Sequence, residues 1–172
     1  MIRPQPEVYA DLERGALLDV RAENIPGELK ARPQWVNYKA IQKPDGRLDK
    51  VPYTPGTDRK ASTTDLMTWG TFGEAIEGLG RFDGLGFVFC SADPYVGVDL
   101  DNCVDADTGE IEPWAWQIIE DLDAYAELSP SGTGAHVIAK GRIPCSGRRG
   151  SLEMYIQDRF FAMTGHMIGD SA

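Results

Sequence analysis

Short apolar segments of strand length, separated by turn signals, run through most of the chain from residue 34 onward. Residues 34–39 alternate in polarity, a turn signal follows at 43–46, and residues 50–53 resume as a short strand. This pattern predicts a β-hairpin over 34–53, whose second strand lies at a sheet edge because it contains Pro52. Further strands are predicted at 84–89, 95–100, around Glu127, and at 135–140, 151–156 and 159–163.

Helical periodicity is limited to three segments. The first spans 7–21 and ends at Pro26 and Gly27. The second is capped within 62–65 and runs to about Leu79. The third begins at Pro113, with an apolar stripe formed by Trp114, Ile118 and Leu122. The resulting order of helices and strands has no regular βαβ repeat, so it predicts an α+β fold.

The charge balance of the chain restricts its partners. The formal net charge is −10 at pH 7, which argues against a strong, non-specific nucleic-acid binder when bulk charge alone is considered. A polymerising enzyme remains compatible with this charge, because it needs clustered acids for metal ions and can confine its basic residues to one groove. We expect tight template binding to need another domain or partner.

Several features indicate a cytoplasmic protein without membrane contact. No apolar run approaches the roughly 18–20 residues of a membrane span, and the first six residues lack the apolar core of a signal peptide. The three cysteines form no CxxC pair and are odd in number, which favours free thiols in a reducing compartment. The sequence contains no evident cysteine and histidine set for zinc.

Two acids, separated by one residue, stand at the end of a predicted buried strand. Side chains alternate along a strand, so Asp99 and Asp101 are expected on the same face. Two carboxylates on one face can hold divalent cations, which prefer oxygen ligands. The alternative is a strand end with solvated acids, but carboxylates beside an apolar core are costly unless a cation or hydrogen bonds compensate them.

A glycine-containing loop ends in a histidine at the start of the predicted strand 135–140. The residues expected to supply backbone N–H groups for a phosphate are Ser131, Gly132, Thr133 and Gly134. A flexible loop with no ligand is the alternative interpretation, and the loop sequence alone is weak. Because His136 follows it directly, we predict that this histidine contacts a triphosphate.

A third acid and two basic residues complete the candidate set. Glu153 lies on the predicted strand 151–156, and only its combination with the other acids distinguishes it from a solvent-facing residue. Arg159 follows that strand after a tight turn, which could direct it to the same site. Lys50 is a weaker candidate for nucleotide or template contact. The set as a whole suits phosphoryl or nucleotidyl transfer with metal ions.

This order of motifs resembles the archaeo-eukaryotic primase superfamily, and in particular the primase-polymerase domains of phage and plasmid replication proteins. The family's acid-x-acid pair is matched by Asp99 and Asp101, its small-residue loop ending in histidine by 131–136, and its lone acid by Glu153. The segments 34–39, 50–53, 84–89 and 159–166 are also similar to the phage-type group. The resemblance covers about residues 34–166.

The resemblance implies a two-lobed catalytic core with a mixed sheet related to the RNA-recognition motif. It further implies that Asp99, Asp101 and Glu153 bind two Mg²⁺ or Mn²⁺ ions, and that His136 and the 131–134 loop hold the incoming triphosphate with help from Arg159 and Lys50. Residues 1–30 would be an N-terminal helical segment and 31–172 the primase-polymerase domain, within a longer replication protein.

The expected partners are a single-stranded DNA template with its primer, nucleoside triphosphates and a helicase domain or protein. The implied function is template-dependent nucleotidyl transfer, as a DNA primase and DNA polymerase in phage or plasmid replication. Two alternatives remain open from the residues alone. Asp, Glu and His side chains also build metal-dependent phosphodiesterases or nucleases. The acidic surface also fits a catalytically silent module that binds a replication partner.

Overall fold

The computed structural model of the chain describes residues 16–169, which form an α+β fold with two β-sheets. The α+β prediction is therefore confirmed. The helices are α1 (Gly27–Lys30), α2 (Phe72–Gly78) and α3 (Pro113–Leu122), with short 3-10 helices at Ala22–Asn24, Leu66–Thr68 and Leu79–Arg81. The strands are β1 (Trp35–Gln42), β2 (Leu48–Tyr53), β3 (Gly84–Phe89), β4 (Tyr95–Leu100), β5 (Tyr125–Leu128), β6 (Ala135–Lys140), β7 (Gly147–Arg149), β8 (Leu152–Tyr155) and β9 (Arg159–Met163).

The first sheet has the strand order β2-β1-β3-β9. The predicted hairpin is confirmed, because β1 and β2 pair antiparallel from Asn37 opposite Tyr53 to Gln42 opposite Leu48. Strand β2 lies at the sheet edge, as Pro52 predicted. The last strand of the chain, β9, forms the other edge and pairs with β3.

The second sheet has the strand order β5-β6-β4-β8-β7, with β4 in the centre. Strands β3 and β4 follow each other in the chain but belong to different sheets. Over the described residues every strand pairing in both sheets is antiparallel. The resemblance implied a mixed sheet, with parallel and antiparallel pairs, and this expectation is wrong. Strand β7, which consists of three exposed residues, was not predicted.

The helix predicted from 62–65 to Leu79 is wrong in its first half. Gly70 exchanges two backbone hydrogen bonds with Trp35, at 2.9 and 3.0 Å, which holds the chain extended at this point. The α-helix begins only at Phe72. Thr71 and Glu74 form a capping box there, in which each side chain accepts a hydrogen bond from the backbone N–H of the other residue.

Helix α3 is confirmed, with Pro113 in its first turn, but of its predicted apolar stripe only Ile118 packs against the core. The buried residues are Ala115 and Ile119, four positions apart, whereas Trp114 is 40% exposed and Leu122 is 36% exposed. The helix is therefore rotated by about one residue from the predicted orientation. Its inner face packs on the second sheet, in a core that contains Val98, Leu100, Ala126, Leu128, Ala135 and Val137.

The first part of the N-terminal helix predicted for 7–21, up to residue 15, lies outside the described residues. Its second part, residues 16–21, is not helical, so the prediction is wrong there. Their backbone is instead bonded to distant segments: the N–H of Leu18 donates to Pro130 O at 2.8 Å and the N–H of Arg21 to Thr164 O at 2.8 Å. Pro26 precedes α1 and does not end a helix. The domain boundary between residues 30 and 31 stays a prediction.

A second, aromatic core joins the two sheets. It contains Trp35, Phe87, Phe89 and Phe161 from the first sheet and Tyr95 and Ile138 from the second. The buried side chains Ile25 and Leu29 complete it from the N-terminal side. No helix in the described part of the chain is long and apolar enough to span a membrane.

Candidate active site

Five polar side chains lie side by side across the second sheet, one from each strand. In the order of the strands they are Glu127, His136, Asp99, Glu153 and Arg148, and each is paired in register with the next. Directly opposed residues of an antiparallel pair project from the same face of the sheet. We call this set the polar row. The opposite face of the same strands carries the apolar side chains of the α3 core.

The members of the polar row interact with their neighbours. Arg148 and Glu153 form an ion pair, with 2.9 Å between Nη1 and Oε1. His136 lies between two carboxylates: its Nε2 is 3.7 Å from Asp99 Oδ1, and its Nδ1 is 3.6 Å from Glu127 Oε1. The imidazole ring of His136 stacks on Phe161, with 4.4 Å between ring centroids and 17° between the planes. The sheet and this ring contact therefore fix the histidine at the centre of the charged groups.

Asp99 and His136 line a cleft of about 260 Å³. The other walls of this cleft come from Tyr155 and from strands β2 and β9 of the first sheet, which contribute Lys50 and Arg159. The guanidinium carbon of Arg159 is 5.1 Å from the ring centroid of Tyr155. The structure thus brings the predicted basic residues Lys50 and Arg159 to the same cleft as Asp99 and His136.

The pKa values of Asp99 and Lys50 in the cleft depend on each other's charge. The pKa of Asp99 is raised, first by burial and then by the charges of Asp101 and Glu153, while His136 and Lys50 oppose this rise. Burial lowers the pKa of Lys50, and the charges of Asp99, Asp101 and Asp49 act against that change. Asp101 directly follows β4, and its N–H donates to Ser151 O at 2.8 Å. Neither Asp101 nor Glu153 is among the residues that line the cleft, but both charges act on Asp99.

The predicted phosphate loop is not among the residues that line the cleft. Its backbone N–H groups are bonded within the loop. The N–H of Gly132 donates to Ser129 O at 2.8 Å, that of Thr133 to Ser131 Oγ at 3.4 Å, and that of Gly134 to Ser129 Oγ at 3.1 Å. In this conformation those three donors do not face a ligand. Triphosphate binding by Ser131, Gly132, Thr133 and Gly134 therefore stays a prediction.

Comparison with known proteins gives one informative relative. The chain is 37% identical over 143 residues to a DNA primase-polymerase of Nitratiruptor phage NrS-1, and this alignment covers 78% of the chain. The chain belongs to the primase-polymerase family. It spans 19% of the length of that phage protein. No protein-family model matches the chain.

In this member of the primase-polymerase family, the acids Asp99, Asp101 and Glu153 offer the carboxylate oxygens that Mg²⁺ and Mn²⁺ prefer. The raised pKa of Asp99 reflects a half-buried negative cluster that a cation would compensate. Within residues 16–169, however, no group of three or more His, Cys, Asp or Glu side chains is arranged to hold a metal ion. The ion pair with Arg148 occupies Glu153 Oε1. The residues fit a metal site in chemistry, and metal use by this primase-polymerase family member is a proposal.

Two members of the polar row were missed by sequence reasoning. Glu127 was predicted only as part of a strand, yet its side chain is fully buried and faces His136. A buried carboxylate is signalled in the sequence by an acid in an otherwise apolar strand, and Tyr125–Leu128 has that pattern. Arg148 lies in a short exposed strand, and no local signal in the sequence indicates its pairing with Glu153. The roles assigned to the predicted site residues stay predictions.

Proposed function

We propose that the chain is a template-dependent nucleotidyl transferase domain, which extends or starts DNA chains with nucleoside triphosphates in phage or plasmid replication. The observation that carries this proposal is the polar row. It gathers Asp99, His136 and Glu153, one residue from each of the three separate sequence motifs, at one register position of neighbouring strands. Membership of the primase-polymerase family supports the same function.

The acids supply the negative side of the proposed site. Asp99, Asp101 and Glu153 would hold two Mg²⁺ or Mn²⁺ ions. Such ions lower the pKa of a bound hydroxyl and neutralise charge on a departing pyrophosphate. The ion pair of Glu153 with Arg148 uses Oε1, so Oε2 is the oxygen of Glu153 that is open to such an ion. The half-buried position of Asp99 keeps its carboxylate partly desolvated, which strengthens its attraction for a cation relative to a fully exposed acid.

The basic residues supply the opposite side. Lys50 and Arg159 reach the cleft from the first sheet, across from Asp99 and His136 on the second. We assign Lys50, Arg159 and the Nε2 atom of His136 to the phosphate groups of the nucleotide, because cationic and N–H donor groups stabilise phosphate oxygens. A single-stranded template and primer are the expected polymer substrates. A helicase domain or protein is an expected partner of the longer protein.

The test is extension of a labelled primer on single-stranded DNA with Mg²⁺ or Mn²⁺ and either deoxy- or ribonucleotides. Asp99→Asn should lower the rate by roughly 10³-fold if its charge stabilises the transition state. The matched control is Asp121→Asn, which removes the same charge from the exposed side of α3, on the far side of the sheet. That control should retain the wild-type rate.

Other outcomes identify the competing functions. Degradation of labelled DNA without added nucleotides, lost in Asp99→Asn, would indicate a nuclease. Folded protein that neither incorporates nucleotide nor binds a nucleoside triphosphate with metal in calorimetry would overturn the proposal. Equal replication in cells with the wild-type protein and Asp99→Asn would favour a catalytically silent binding module.

A further inference from the structure

The buried end of the polar row contains a carboxylate that the proposed reaction does not use. Glu127 has no exposed side-chain surface, and three donors surround it. Its Oε1 accepts the N–H of Thr164 at 3.0 Å, and its Oε2 accepts the N–H of Gly165 at 2.7 Å and the hydroxyl of Tyr125 at 2.7 Å. Burial and then Glu127 raise the pKa of Tyr125, so the phenol keeps its hydrogen and remains a donor.

Counting acceptor positions shows what is left for His136. Each carboxylate oxygen can accept about two hydrogen bonds. Oε2 of Glu127 already accepts two, whereas Oε1 accepts one. The remaining acceptor position therefore belongs to Oε1, and this is the atom that lies 3.6 Å from Nδ1 of His136.

The histidine has a complementary need. Its Nδ1 is buried and has no hydrogen-bond partner at the present distance, although buried polar atoms are nearly always paired. A shortening of a few tenths of an ångström would bring Nδ1 and Oε1 of Glu127 within hydrogen-bond distance. Phe161 holds the plane of the ring by stacking. In this orientation the ring presents Nε2 toward Asp99 and the cleft.

We propose that Glu127 is a positioning residue for His136: its buried Oε1 accepts a hydrogen from Nδ1 and so turns Nε2 toward the ligand. The negative charge of Glu127 also favours the doubly protonated ring, whose Nε2–H donates to a phosphate oxygen. Carboxylates behind a ligating histidine play this part in many sites. The inference rests on the proposed function for one point, the identity of the ligand as a nucleoside triphosphate. The contact between Glu127 and His136 does not depend on it. The competing interpretation is that Glu127 serves solely to pair the buried N–H groups of Thr164 and Gly165.

The first experiment needs neither ligand nor variant of Glu127. The chain has two histidines, so a long-range ¹H–¹⁵N spectrum of the labelled protein at about pH 8.5, above the usual imidazole pKa, contains two ring systems. His136 should carry a hydrogen on Nδ1, whether or not Nε2 also carries one. His166 is an internal contrast, because its Nε2 lies 3.0 Å from both Asp19 O and Asp19 Oδ1 and should carry the hydrogen. His166→Gln assigns the signals, and a His136 hydrogen on Nε2 alone would overturn the inference.

The second experiment changes Glu127 itself. In Glu127→Gln the amide oxygen is expected to take the Oε2 position, which serves two donors, and the amide N–H₂ then faces Nδ1. The hydrogen of His136 should therefore move to Nε2. Tyr125→Phe is the matched control, since it removes a Glu127 partner from the other oxygen and should leave the hydrogen on Nδ1. A folded Glu127→Gln protein that keeps the hydrogen on Nδ1, while the introduced amide hydrogens lie against the ring of His136, contradicts the proposal.

Nucleotide binding provides an independent readout. Glu127→Gln should weaken triphosphate binding in calorimetry by roughly 5- to 10-fold, because a neutral Nε2–H replaces the charged donor on the phosphate. In a His136→Asn background the same change should cost nothing further, because Glu127 acts through the ring. Equal losses in both backgrounds would assign Glu127 a structural role. If the wild-type protein binds no triphosphate, the proposed function fails, while the wild-type spectrum still decides the role of Glu127.

Discussion

The ion pair between Arg148 and Glu153 competes with any cation for the same carboxylate. Glu153 Oε1 lies 2.9 Å from Arg148 Nη1, so a metal ion bound by this carboxylate would be repelled by the positive guanidinium beside it. Replacing Arg148 by Gln removes the competitor without removing an acid. We therefore predict that Arg148→Gln binds Mn²⁺ more tightly than the wild-type protein.

The size of the gain follows from the exposure of the pair. The Arg148 side chain is 66% exposed, which places the pair among the weak, solvent-screened ones, worth about 0.5–1 kcal/mol. Glu153 is only 14% exposed, which favours the upper part of that range. A free-energy change of this size corresponds to a roughly two- to five-fold lower dissociation constant.

The assay is a Mn²⁺ titration of the intact protein by calorimetry at about 0.1 M salt, where charges beyond roughly 10 Å are screened. Arg149→Gln is the matched control: Arg149 is the next residue of β7 and pairs with Leu152, so it projects from the opposite face. It loses the same charge but touches no member of the polar row. Equal affinities of the two variants, or weaker binding by Arg148→Gln, would refute the idea that the ion pair masks a metal ligand.

Three further changes test the fold and the cleft. Asp99→Asn should raise the thermal midpoint at neutral pH, because the pKa of Asp99 is raised in the folded state. The stability that protonated Asp99 contributes is present at low pH and is lost as the pH rises through this pKa. The advantage of the variant should therefore vanish in acid. Gly97→Ala should lower the free energy of unfolding in urea by about 1–3 kcal/mol, because a Cβ would lie 2.7 Å from Phe161 Cε2; an unchanged midpoint would contradict the packing. Burial raises the pKa of Cys103 to about 12, so at about pH 8 a thiol reagent should modify exposed Cys145 first, and mass mapping should find Cys103 unmodified in the folded protein.

The sequence predicted the strands well because each is an apolar or alternating run bounded by turn signals. It failed where distant contacts decide the structure. The start of α2 is moved to Phe72 by the bridge between Gly70 and Trp35, which are far apart in the chain. The capping box of Thr71 and Glu74 was nevertheless present in the local sequence and could have been used.

The candidate site shows the same division. The alternation of side chains along a strand predicted that Asp99 and Asp101 share a face, which stays a prediction because β4 ends at Leu100. The order of the motifs correctly placed His136 and Glu153 next to Asp99. No local pattern told which strands are neighbours, so the contacts of His136 with Glu127 and of Glu153 with Arg148 emerged only from the sheet order. Likewise, the composition of the 131–134 loop suggested free N–H groups, and the hydrogen bonds within the loop depend on its folded shape.

The polar row also makes the chain sensitive to insertions in a particular way. Because side chains alternate, one extra residue within β4, β6 or β8 would turn the rest of that strand over. The affected member of the row would then enter the apolar face that packs on α3, and an apolar residue would face the cleft. Insertion scanning should therefore find loss of folding and loss of the site together inside these strands. The exposed connection at 144–146, which carries no member of the row, should accept changes in length.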